Sequence, residues 1–182
     1  EVVAKEIKKQ YFIENGISKK CLVLDCDNVL WGGVLSEDGI ENIRLGNSGL
    51  GHEYQEFQRF VLSLYYRGVI LAICSKNDLG DVLDVFSKHS GMILKEEYIA
   101  CFQVNWENKL DNIRQIAIKL NIGTDCMVFV DDTSFERETI KSCLPEVTVI
   151  PYHRKTMYKA FSCFNLRENP DYAVVVKRNN TY

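Results

Sequence analysis

The sequence predicts an α/β protein built on a doubly wound, mostly parallel, five-stranded sheet. Three observations lead there. Short apolar runs of strand length recur along the chain. They alternate with segments whose apolar residues fall every three or four positions, the period of an amphipathic helix. Several of the runs end in polar or charged residues, and the carboxyl ends of parallel strands are where such sheets bind ligands. The 182 residues suit one domain, and 46 % hydrophobic with 26 % charged content is enough to bury a core. The formal net charge of -3 argues against a broad nucleic-acid footprint. No run approaches the roughly 18 apolar residues that read as a membrane span, and no signal peptide is visible. The seven cysteines are odd in number and lack CxxC spacing. They read as small buried thiols in a reducing, cytoplasmic setting rather than as a disulfide framework or zinc site.

In chain order, residues 1–18 read as an N-terminal helical segment, with Val2, Val3, Ile7 and Tyr11 at helical spacing and Gly16 as its stop. The domain proper is expected over 19–165. Its first strand runs over 21–25 and ends in Asp25 and Asp27. The glycine-rich stretch from Trp31 to Gly51 is too broken for a helix and is expected to form a small hairpin or flap, Val34-Leu35 against Ile43-Arg44-Leu45. A helix follows over 51–66, with Tyr54, Phe57, Phe60, Val61, Leu64 and Tyr65 on one face. The second strand, 69–74, ends in Ser75-Lys76-Asn77-Asp78, and Asp78 is placed to cap the next helix. A short third strand covers 98–104. Asn105-Trp106-Glu107-Asn108-Lys109 then opens a helix whose face is Leu110, Ile113, Ile116, Ala117 and Leu120. The fourth strand, 126–130, ends in Asp131-Asp132, with Ser134 as the expected cap of a helix carrying Glu136 and Glu138 in its first turn. The fifth strand, 147–150, stops at Pro151. Residues 166–182 read as an irregular tail.

Four polar clusters therefore share one edge of the sheet: Asp25 with Asp27, Ser75 with Asn77, Lys109, and Asp131 with Asp132. Each has a role in phosphoryl chemistry. Asp25 can take a phosphoryl group as an aspartyl phosphate. Asp27, two residues on, can protonate the leaving group and then activate water. Asp25, Asp27, Asp131 and Asp132 supply oxygen ligands suited to Mg²⁺. Ser75 and Lys109 can hold the phosphoryl oxygens and offset their growing charge. Asn77 is a further candidate for substrate binding, although it and Asn28 also suit turn positions.

These residues resemble the four motifs of the haloacid dehalogenase (HAD) superfamily, in order and at suitable separations. The run Asp25-Cys26-Asp27-Asn28-Val29 is similar to its first motif, and the resemblance covers about residues 19–150. A narrower resemblance is to the FkbH-like branch, HAD subfamily IIIC. It is carried by Leu24 through Trp31-Gly32-Gly33, Leu71 through Asp78, Asn105-Trp106-Glu107-Asn108-Lys109, and Val128 through Asp132 with Glu136-Arg137-Glu138. That branch implies no large cap domain. It implies a Mg²⁺-dependent enzyme that loads a glyceryl unit from 1,3-bisphosphoglycerate onto an acyl carrier protein, with loss of phosphate. It also implies a cysteine holding the glyceryl group as a thioester. Cys74 is the position matched to it, ahead of Cys26.

Two other functions remain open at this point. One is a plain phosphatase acting on a small phosphorylated metabolite or a phosphoprotein. The other is a non-catalytic interaction module on the same shell. Trp31 and Trp106 read equally as walls of the site or as loop anchors. Arg137 is as suited to pairing with Glu136 or Glu138 as to touching substrate.

Overall fold

A computed structural model describes residues 19–152 and 163–164. The expected helix before residue 19 and the expected tail after 165 lie outside these residues. The strands are β1 (Cys21–Leu24), β2 (Ile70–Ser75), β3 (Ile99–Val104), β4 (Met127–Asp131) and β5 (Thr148–Pro151). All pairings are parallel, in the order β3-β2-β1-β4-β5. The chain builds outward from β1 to β3, then returns to the other side of β1. The order reverses between β1 and β4, and this is the switch point where an open α/β sheet forms its crevice.

The helices are α1 (Leu35–Asp38), α2 (Gly49–Tyr66), α3 (Leu79–Lys88), α4 (Lys109–Lys119) and α5 (Ser134–Cys143). They cover both faces of the sheet because side chains alternate along a strand. Leu22, Leu24, Leu71, Ile73, Val128 and Val130 pack with Phe57 and Val61 of α2 and with Val82, Val85 and Phe86 of α3. Cys21, Val23, Ile70, Ala72, Cys74, Met127 and Phe129 pack on the other face with Ile113 and Ile116 of α4 and Ile140 of α5. β1, β2 and β4 are wholly buried, whereas the edge strands β3 and β5 are partly open. Each large apolar side chain sealed in this way contributes about 1.5–3 kcal/mol.

Several local expectations change. The stretch after Trp31 does contain a helix, the single turn α1. Its strand pairing is Gly32 with Arg44, joined by Gly32 N to Arg44 O (3.1 Å) and Arg44 N to Gly32 O (2.7 Å). Gly32 is required there, since a Cβ would sit 2.7 Å from the Tyr54 ring. Helix α2 begins at Gly49, earlier than its periodic apolar face. Ser134 is the first residue inside α5 rather than its cap. Thr133 occupies the cap position without a side-chain bond to the helix, and only Glu136 lies in the first turn. Glu138 instead pairs with Lys141 at 2.8 Å. Asp78 does cap α3, its carboxylate accepting from Gly80 N at 2.8 Å. Pro151 does not stop β5 but ends it, paired with Asp131; an edge strand tolerates the missing N–H. No described helix is long and apolar enough to cross a membrane.

Candidate active site

Asp25 lies one residue past β1, where its N–H donates to Val130 O at 3.1 Å and ties it to the end of β4. The chain then turns tightly, with Val29 and Leu30 both donating to Cys26 O. Asn28 makes the turn possible. It adopts φ +55°, a left-handed conformation that Asn tolerates better than most residues, and its side chain accepts from Gly33 N at 3.0 Å.

Lys109, at the start of α4, projects between the ends of β1 and β4. Its Nζ lies 2.9 Å from Asp25 Oδ2 and 2.7 Å from Asp131 Oδ2. All three side chains are at most 7 % exposed. Burial alone would pull the Lys109 ammonium down, but the two carboxylates outweigh it and hold its pKa above the ordinary value. Asp25 moves the other way energetically. Burial, opposed by Lys109 and seconded by the charge of Asp131, pushes its carboxyl up to about 6. The two shifts agree once the count of charges is considered. One cation faces two anions, so the cation is over-stabilised while Asp25 is under-compensated.

Asp131 is fully buried, and its second oxygen accepts from Thr133 N at 2.7 Å. Asp132 is exposed. Desolvation of its carboxyl and the neighbouring Asp131 charge raise its pKa. Arg137 pairs with neither glutamate beside it. Its Nη1 donates to the backbone carbonyls of Asp131 and Asp132, bracing the loop that carries both acids. The sequence signal was an Arg one helical turn and a half after a strand-end acid pair, which reads as a charge rather than as a carbonyl brace.

Asp27 is held differently. Its Oδ1 accepts from Trp31 Nε1 at 2.8 Å and from Leu35 N at 3.1 Å, and its Oδ2 accepts from Asn77 Nδ2 at 3.0 Å. Asn77 also donates to Ser75 Oγ at 3.1 Å, joining the acid to the hydroxyl at the end of β2. Asn77 is therefore a bracket between two site residues. Trp31 is fully buried beside the acid, whereas Trp106 is 65 % exposed and walls nothing.

Asp25, Asp131 and Asp132 each offer an oxygen within 4.8 Å of the others. An all-carboxylate set of this kind suits a hard divalent cation such as Mg²⁺. The Asp27 carboxylate stands outside that group and is occupied by its three donors. Cys74 follows Ile73, which pairs with Leu24, so it stands level with Asp25 on the neighbouring strand and feels the charges of Lys109, Asp25 and Asp131, without a hydrogen bond to either acid. Alternation along β2 turns it to the α4 face, where it is fully buried and its thiol donates to Lys109 O at 3.9 Å. Burial holds both Cys74 and Cys26 well above the ordinary thiol range.

A parallel sheet that presents an acid pair, a hydroxyl, a lysine and a second acid pair at its switch point has the fold of the HAD-superfamily hydrolases. Among solved structures, the chain is similar to the N-terminal part of protein BF1531 from Bacteroides fragilis, which contains a phosphatase domain and was crystallised with Mg. The two are 42 % identical with a TM-score of 0.84, over 93 % of this chain and 46 % of that one. This chain thus spans about half the length of that relative. A HAD-family enzyme from Bacteroides thetaiotaomicron, crystallised with magnesium and inorganic phosphate, shares the fold at 11 % identity and a TM-score of 0.52, over 79 % of this chain and 98 % of that one. An uncharacterized protein from Corynebacterium glutamicum does so at 14 % identity and 0.54, over 82 % and 98 %. No protein-family model matches the chain, and no curated protein matches it.

Proposed function

We propose that this domain hydrolyses a phosphate monoester of a small molecule with Mg²⁺ bound, through an aspartyl phosphate on Asp25. The observation that carries the reading is Lys109 lodged between Asp25 and Asp131, with Asp132 completing a carboxylate set of cation-binding size. Lys109 keeps Asp25 oriented and lends positive charge where phosphoryl oxygens gain negative charge. Asp25, Asp131 and Asp132, with the backbone carbonyl of Asp27, would hold the metal, which when bound neutralises phosphate charge and orients the ester. Asp25 attacks phosphorus. As that bond forms, the ester P–O bond breaks and the leaving oxygen takes a proton from Asp27. Asp27, now a carboxylate, accepts a proton from water as the water attacks the phosphoaspartate, freeing inorganic phosphate and Asp25. Ser75 lies beside this path and can donate to a phosphoryl oxygen. The test is phosphate release from a monoester with Mg²⁺ present. Asp25→Asn should be inert, and turnover by that variant at the parent rate refutes the mechanism, since an amide cannot form the phosphoaspartate.

The narrower reading is glyceryl transfer from 1,3-bisphosphoglycerate to an acyl carrier protein. It is supported by the motif resemblance. It needs Cys74 as the acyl carrier, and a fully buried thiol bonded to the Lys109 carbonyl favours simple hydrolysis instead. Intact-mass analysis after incubation with 1,3-bisphosphoglycerate separates the two. A glyceryl adduct lost in Cys74→Ser supports transfer, and phosphate release without an adduct removes it.

A further inference from the structure

Trp31 is placed to act through Asp27, and its surroundings are built to keep it there. The indole is fully buried and spends its one polar group on Asp27 Oδ1 at 2.8 Å. Both neighbours of Trp31 are fixed to other parts of the chain. Leu30 O accepts from Gln58 Nε2 of α2 at 2.8 Å, and Gln58 is itself fully buried. Gly32 is paired in both directions with Arg44. The indole is therefore anchored on each side by hydrogen bonding between its neighbour's backbone and a different segment, Gln58 of α2 on one side and Arg44 on the other. It meets the carboxylate together with the first N–H of α1 and the Asn77 amide. Three donors from three places define the plane of the Asp27 carboxyl and leave it little rotational freedom.

We propose that Trp31 is a positioning residue for the acid–base step, holding Asp27 so that its proton is delivered along the line of the departing ester oxygen. The inference rests on the phosphohydrolase reading above. Orientation of a proton donor matters in proportion to how much the leaving group needs the proton. A nitrophenolate departs without help, whereas an alkoxide does not. Loss of the indole N–H should therefore weaken turnover selectively for alkyl esters. A packing role alone would lower both substrates alike.

The experiment compares kcat/KM for p-nitrophenyl phosphate and for β-glycerol phosphate, a ratio that reports events up to departure of the leaving group. Trp31→Phe removes the N–H. A second variant keeps the shape of the indole: benzothienylalanine is incorporated at 31 in a Trp106→Phe chain, replacing N–H by sulfur. Either variant should lose about tenfold or more on β-glycerol phosphate, the effect of one lost hydrogen bond in the transition state, with far less change on the nitrophenyl ester. In an Asp27→Asn background, removing the N–H should cost nothing further on either substrate. Equal losses on the two esters, or a full additional loss beyond Asp27→Asn, overturn the assignment. Turnover by Asp25→Asn in the same assay would instead overturn the parent reading and leave the indole contact unexplained.

Discussion

Replacing Lys109 by Met tests whether the site is held by one shared cation. The substitution keeps the length of the side chain and removes its charge, leaving Asp25 and Asp131 facing each other with their side chains at most 7 % exposed. Removing one partner of a buried ion pair costs about 3–5 kcal/mol, because the remaining charge stays uncompensated. For a chain of 182 residues, each kcal/mol moves Tm by roughly 2–4 °C, so metal-free protein at pH 8 should melt about 6–20 °C below the parent. The deficit should shrink with acid. In the parent, the Asp25 carboxyl already sits at about 6 against an ordinary 3.8. The folded state therefore binds that proton more tightly than the unfolded chain, and the parent itself loses stability as pH rises from about 4 to about 6. Without Lys109 the carboxyl is pushed higher still, so protonation relieves the variant more than the parent. Mg²⁺ should also recover part of the loss by returning positive charge. Thermal unfolding by circular dichroism, with and without Mg²⁺ at pH 5 and pH 8, reads all three effects. A variant as stable as the parent at pH 8 without metal, or a deficit that does not change with pH, would refute the shared-cation account.

Other substitutions test the remaining parts. With p-nitrophenyl phosphate, whose leaving group needs no proton, Asp27→Asn should slow phosphate release by roughly 10²–10⁴-fold, the usual worth of a positioned acid–base group, while phosphoaspartate on Asp25 remains detectable by mass; equal loss of both on that ester would assign Asp27 a structural role. Gln58→Leu leaves Leu30 O and the N–H groups of Ile93 and Leu94 without their partner, and denaturant unfolding should show a loss on the order of 1–3 kcal/mol for each group that water cannot reach. Gly91→Ala places a Cβ 2.6 Å from Leu45 O, so the loop around Leu45 must shift and the same measurement should register about 1–3 kcal/mol. Chelation with EDTA should abolish phosphate release and lower Tm, since the metal binds the folded acid cluster and not the unfolded chain; unchanged activity would remove the metal from the mechanism.

The sheet was legible in the sequence because its strands are buried on both faces and so read as unbroken apolar runs, most clearly in Val69 through Cys74 and Met127 through Val130. The acids were legible because they sit just past those runs, where chemistry and spacing coincide. What stayed hidden is local geometry that neither periodicity nor propensity encodes. α1 is one turn long and lies among glycines, so no periodicity reveals it. Ser134 reads as the cap of α5 because Ser is a favoured N-cap residue, and only the backbone shows that the cap position is Thr133. Trp31 and Arg137 look like a loop aromatic and a surface charge, yet one meets Asp27 through a single N–H and the other meets two carbonyls. Cys74 shows the reverse. Its place at a strand end makes it a site candidate and does set it level with Asp25, but its complete burial is not written in that position.

The buried amide of Gln58 has a consequence for how the molecule opens. One side chain on α2 holds the carbonyl before Trp31 and, through its oxygen, the N–H groups of Ile93 at 2.8 Å and Leu94 at 3.1 Å. The loop that delivers the acids and the segment that leads into β3 are thereby joined at one point, and loosening either one strips the other of a buried partner. Hydrogen exchange at the Ile93 and Leu94 amides becomes a remote gauge of the active-site loop, readable even when the residues doing the chemistry are silent.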